Sequence, residues 1–117
     1  MAYDPNNVFA RILRGEIPSN KVYEDEYVLA FRDIRPVAPT HVLVIPKDHI
    51  PGIHEAKPSD AAVLGQVLLA ARDVAEQLGL GGGGYRLVVN QGADAGQSVF
   101  HLHCHVLGGR AMAWPPG

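Results

Sequence analysis

One long stretch of helical period does most to limit what this chain can fold into. Between residues 59 and 78 the side chains Leu64, Val67, Leu68, Ala71, Val74, Ala75 and Leu78 recur at helical spacing, and Gly79 stands where such a helix would stop. Around it lie short stretches rich in β-branched and aromatic residues, "KVYEDE", "YVLAFRD", "HVLVIP", "YRLVVNQ" and "VFHLHCHVL", each closed by turn signals. Strands grouped about one helix, without regular strand-helix alternation, predict an α+β fold: a largely antiparallel sheet with the long helix packed on one face. A shorter helix is expected over residues 8 to 14, where Val8, Phe9, Ile12 and Leu13 share a face before Gly15 and Pro18 break the pattern. With 117 residues, the chain is expected to form one domain spanning residues 1–117.

Composition removes several kinds of partner. A formal charge of -2 with 19% charged residues supplies no basic field for a nucleic acid polymer. The apolar run from Ala61 to Ala71 is interrupted by Gly65 and Gln66 and falls short of the roughly 18 residues of a membrane span. The start "MAYDPNNVFARIL" lacks the charged and apolar regions of a signal peptide, and a single cysteine forms no internal disulfide, so a cytoplasmic, reducing location is expected.

The chemistry concentrates in "QSVFHLHCHVLGGR", residues 97 to 110, where His101, His103 and His105 alternate with Leu102 and Cys104. In a strand such residues share one face, so the three imidazoles are expected on one side, with Leu102, Cys104 and Val106 on a core-facing side. Cys104 then reads as a small buried apolar residue rather than a nucleophile. Two chemistries suit the imidazoles. One is a metal site, with His41 of "THVLVIP" as a further ligand, although no nearby cysteine or carboxylate set accompanies it. The other is phosphoryl transfer, with one imidazole attacking phosphorus and its neighbours stabilising charge. The preceding loop "NQGADAGQS", residues 90 to 98, favours the second, because Gly92 and Gly96 let backbone N–H groups and the Ser98 hydroxyl turn toward an anion.

"HLHCHVL" fits His-φ-His-φ-His-φ-φ, where φ is hydrophobic, and so resembles the signature of the histidine-triad (HIT) superfamily. "RILRGEIPSNKVYEDE", "LAFRDIRPVAPTHVLVIPKDHI", "YRLVVNQGADAGQSVFHLHCHVLGGR" and "WPPG" extend the resemblance over nearly the whole chain, toward the histidine-triad nucleotide-binding branch that hydrolyses purine nucleoside phosphoramidates. The resemblance implies a HIT-like fold, a homodimer joining two sheets into one, a pocket for AMP or GMP derivatives, and no cofactor or metal. It casts His103 as the nucleophile that becomes nucleotidylated while an amine departs. His105 and Ser98 would contact phosphate oxygens or the departing nitrogen, with backbone donors from Gly96, Gln97 and Ser98, while His101 and His41 orient them and Asn90 assists. Asp33 in "FRDI", which alone reads as a turn former, would accept from the ribose hydroxyls. Val8, Phe9, Ile12, Phe31 and Ile34 would hold the base; adenosine and guanosine both stay open. Trp114, in a tail of residues 111–117, would border the partner subunit's leaving-group site.

Other readings of the chain are a metal-dependent hydrolase, a non-catalytic purine nucleotide-binding or scaffold protein, and a dinucleoside polyphosphate hydrolase of the same superfamily. A transferase of that superfamily fits less well, because His105 stands where that branch carries glutamine. "GLGGGGY", residues 79 to 85, follows a helix and precedes a strand, the reverse of a dinucleotide fingerprint, and reads as a connection. His49 and His54 carry no partner pattern and are expected in surface or structural roles.

Overall fold

A computed structural model describes residues 2–117. The order is α1 (Val8–Leu13), β1 (Lys21–Glu24), β2 (Val28–Arg32), β3 (Thr40–Pro46), α2 (Ala61–Gln77), β4 (Tyr85–Val88) and β5 (Cys104–Gly108), with single 3₁₀ turns at Ile53–Glu55 and Pro58–Asp60. The strands form one antiparallel sheet in the order β1-β2-β3-β5-β4. This is the expected α+β arrangement. Among the described residues, no helix is long and apolar enough to cross a membrane.

Gly79 ends α2 as expected, and its bonds show why. At φ +77° it lets its own N–H reach Glu76 O (3.1 Å) and the Leu80 N–H reach Ala75 O (2.9 Å), which together close the helix with a paired C-cap. Leu80 then turns inward and is buried.

Both faces of the sheet are covered, which explains why "VLAF" and "VLVIP" read as continuous apolar runs instead of alternating ones. On one face Val28, Ala30, Val42, Val44, Cys104 and Val106 pack against Val67, Ala70, Ala71, Val74 and Ala75 of α2. On the other, Leu29, Phe31, Leu43 and Ile45 pack against Phe9 of α1. Burying each valine or leucine contributes about 1.5–3 kcal/mol, so the α2 face carries the larger share of the core. Cys104 is fully buried there, and burial pushes its thiol up to about 11, as suits an inert apolar filler.

One expected strand is shorter than its sequence pattern. The stretch "VFHLHCHVL" joins the sheet only from Cys104, which pairs with Val44 near the end of β3. His101 and His103 therefore precede the ladder, where the Leu102 N–H bonds to Ile50 O (2.7 Å) instead. A second difference lies on α2, where Leu68 faces outward and is 51% exposed.

Candidate active site

The strand register brings the histidines together. His105 lies opposite Leu43 across the β3–β5 ladder and His41 opposite Leu107, so His41 and His105 are diagonal neighbours on the α1 face. Their rings meet through His41 Nε2 and His105 Nδ1 at 2.9 Å. His103 sits on the same side, its ring centre 5.1 Å from that of His105 and 5.0 Å from that of Phe9. His101 lies deepest, with no exposed surface.

Hydrogen bonds assign a tautomer to each ring. The Val37 amide donates to His41 Nδ1 (3.1 Å), so the proton of neutral His41 is on Nε2 and donates to His105 Nδ1. His105 therefore carries its own proton on Nε2. His103 Nδ1 meets the carbonyl oxygen of His101 (2.7 Å), an acceptor only, so Nδ1 is protonated and Nε2 keeps its lone pair. His101 donates from Nε2 to Pro46 O (2.8 Å) and accepts at Nδ1 from the Tyr3 hydroxyl (2.6 Å).

Burial keeps these rings neutral. It pushes His101 down to about 4, and it does the same to His105, with the neighbouring His103 and His41 adding to the fall. His103 and His41 are also lowered, chiefly by burial, with Asp33 opposing. At neutral pH the rings of His41, His101, His103 and His105 are thus uncharged.

A cleft of about 990 Å³ opens in front of His103. Of the residues expected around a nucleoside, Val8, Phe9, Ile12, Phe31, Asp33, Ile34 and Ser98 all line it. Ile34 is 92% exposed, on the rim rather than in the wall. Asp33 directs its two oxygens differently: Oδ1 accepts from the Arg35 N–H (2.7 Å), and Oδ2 lies 3.4 Å from His41 Nε2. Leu43 and Val99 also line the cleft, as do Ile17, Pro18, Ser19 and Asn20. Leu43 had a legible signal, its spacing of two from His41. The segment 17–20 has no period that marks it.

The loop before the histidines offers fewer donors than expected. The N–H of Gly96 bonds to Ala93 O and that of Gln97 to Gly92 O, both at 3.0 Å. The buried Gln97 side chain accepts from the Gly92 N–H (2.9 Å) and donates to Pro51 O (2.9 Å) and Val99 O (3.2 Å), so it braces the loop from within. What the loop presents at the cleft is Ser98. Asn90, just beyond β4, is half-buried and lies outside the cleft wall.

Among the described residues, Asp33, His41 and His105 each offer a potential metal-ligand atom within 4.8 Å of one another. The donor set does not suit a cation as arranged, because His41 turns a proton and not a lone pair toward the others.

A family profile described as HIT domain matches residues 14–112. An uncharacterized HIT-like protein of Synechocystis is 54% identical over 112 residues, covering 96% of this chain and 97% of the relative. A 14 kDa zinc-binding protein of Zea mays is 53% identical over 116 residues, covering 97% and 90%. Among solved structures, a HIT family hydrolase from Legionella pneumophila superposes with TM-score 0.93 at 51% identity, covering 96% of this chain and all of that one. A histidine triad nucleotide-binding protein from Candida albicans superposes with TM-score 0.80 at 34% identity, covering 94% and 83%.

Proposed function

The chain belongs to the HIT domain family and shares the fold of HIT family hydrolases, and from that premise we propose that it hydrolyses the P–N bond of purine nucleoside 5'-phosphoramidates through a nucleotidyl-histidine. The observation that carries this reading is the state of His103: its Nδ1–H is tied to the His101 carbonyl, and its ring borders the cleft with Nε2 unprotonated. A neutral imidazole with one committed nitrogen is a ready nucleophile.

The nucleoside of the substrate lies between Val8, Phe9, Ile12 and Phe31, with the ribose hydroxyls on Asp33. His103 Nε2 attacks the α-phosphorus. The His105 Nε2–H, directed by His41 behind it, donates to a phosphate oxygen as charge develops. The bridging nitrogen takes the P–N electron pair and one proton, relayed from solvent through the Ser98 hydroxyl, and leaves as the amine. Water then attacks the same phosphorus, breaks the P–Nε2 bond and returns the proton to solvent, releasing a nucleoside monophosphate and neutral His103. The Candida albicans neighbour is by name a nucleotide-binding protein, which supports the ligand class.

The working unit is a homodimer. The tail lies along β4, the edge strand, where Arg86 donates to Ala113 O (3.1 Å) and stacks over the Trp114 ring at 5.8 Å. Trp114 is 80% exposed and lines no part of its own chain's cleft, a placement that leaves it free to wall the partner's leaving-group side.

The test is rapid quenching with an adenosine phosphoramidate in the presence of chelator, followed by peptide mass spectrometry. The expected result is an adduct on His103, and loss of turnover on the order of 10⁶-fold in His103→Ala, as for other covalent enzymes that lose their nucleophile. An adduct elsewhere would overturn the mechanism. Turnover that vanishes with chelator would instead restore the zinc reading that the name of the Zea mays relative suggests.

A further inference from the structure

Tyr3 lies outside every motif described above, in a segment ahead of α1 that the HIT domain match leaves uncovered. The segment is nevertheless fastened. The Asn6 N–H bonds to Asp4 Oδ1 (2.8 Å), Asn7 Nδ2 to Asp4 O (2.7 Å), and Arg14 Nη1 from the far end of α1 to Pro5 O (2.7 Å). Tyr3 is thereby set over the triad from behind, its ring stacked on His49 with centres 4.5 Å apart and planes within 6°. Its hydroxyl meets His101 Nδ1 at 2.6 Å.

The direction of that bond follows from the opposite side of the ring. Pro46 O can only accept, so His101 Nε2 carries the proton and Nδ1 must receive one from Tyr3. Burial pushes the Tyr3 hydroxyl up, which keeps it a donor. His101 is thus gripped at both nitrogens, and its backbone carbonyl is the group that holds His103 Nδ1–H. A ring free to flip or to move its proton would loosen that carbonyl and, with it, the tautomer of the nucleophile.

We propose that Tyr3 is a positioning residue, which acts through His101 to hold His103 with Nε2 free for attack. The proposal rests on the phosphoramidase reading for its catalytic consequence, but not for its geometry. His49 serves as the platform on which the Tyr3 ring rests, a role its isolated place in the sequence did not show.

Tyr3→Phe removes the hydroxyl and keeps the stack, while Tyr3→Leu removes both. Two measurements apply to each variant: long-range ¹H–¹⁵N spectra of the histidine ring nitrogens without ligand, and the single-turnover rate of nucleotidylation with AMP affinity alongside. In Tyr3→Phe the His101 Nδ1 signal should move to that of an unbonded imine nitrogen, and the His103 Nδ1–H signal should weaken. Nucleotidylation should slow roughly fivefold, the ratio one neutral hydrogen bond supports, with AMP affinity unchanged. Ring signals unmoved in Tyr3→Phe, or a nucleotidylation rate equal to the parent's, would overturn the proposal. So would a variant that is only less heat-stable, or one in which Leu slows the reaction and Phe does not. A parent protein that accepts nucleotide from no phosphoramidate would remove the phosphoramidase reading alone, since the ring spectra still decide whether Tyr3 positions the histidines.

Discussion

Asp33 is the turn former its sequence context suggested, through Oδ1, and its Oδ2 lies beside His41 at the cleft. Asp33→Ala should weaken AMP by about 1.5–3 kcal/mol, the range for hydrogen bonds to a charged group, and should weaken a 2',3'-dideoxy analogue much less. Calorimetry with both ligands checks this; equal losses would leave only the turn. The histidines make a different demand on the fold. Unfolded His101 titrates near 6.5 and folded His101 near 4, so between those values the unfolded chain binds more protons. Stability is therefore complete above about pH 6.5 and declines as pH falls toward 4, by up to about 3 kcal/mol from His101 alone. Urea midpoints across that range should fall on the acid side, and should fall less in His101→Asn. At this scale the sequence is most readable where chemistry repeats: His101, His103, His105 and Cys104 lie on the sides their alternation implies. It is least readable where one residue answers another far away, as Tyr3 does His101 across 98 positions.

The short α1 shows how an element's ends decide its use. Six residues cannot hold a helix in water, so α1 depends on Phe9 packing and on its cap, where Asn7 Oδ1 accepts from the Ala10 N–H at 2.9 Å. Asn7→Ala should cost about 0.5–2 kcal/mol at the helix, and because Val8, Phe9 and Ile12 line the cleft, that loss should appear in AMP affinity. Calorimetry compared with thermal melting separates the two effects; lost stability with full AMP affinity would contradict it. The helix periods and the Gly79 stop are legible because they are local. The start of β5 is not, since residues 99 to 103 have strand-like composition but stay off the ladder although β3 runs on to Pro46, the Leu102 N–H bonding to Ile50 O instead. The donors of the Gly92 to Ser98 loop escape the sequence for a related reason: a glycine-rich stretch shows that a loop can turn, and not which carbonyls its N–H groups will find.

For the molecule as a whole, the exposed side of α2 carries Leu68 at 51% and Leu69 at 47% exposure, and the edge strand β4 and the residue after it show Tyr85 at 38% and Val89 at 40%. Sequence periodicity places Leu68 with the inward residues because Leu64 and Val67 adjoin it; the sheet takes the alanines instead. Light scattering should find a dimer, and Leu69→Asp should yield a folded monomer; a monomeric parent would end the dimer reading. The split of the sheet into an α2 face and an α1 face has a consequence for how such a chain can change over generations. The twelve buried residues of the α2-side cluster do not line the cleft, and Phe9, Phe31 and Leu43 of the other cluster do. Drift among small apolar residues behind the sheet is then nearly silent for ligand choice, while a single exchange in front of it can retune what is bound without endangering the scaffold. The two sides can evolve at separate tempos, joined only by strands whose alternate residues answer to different selection.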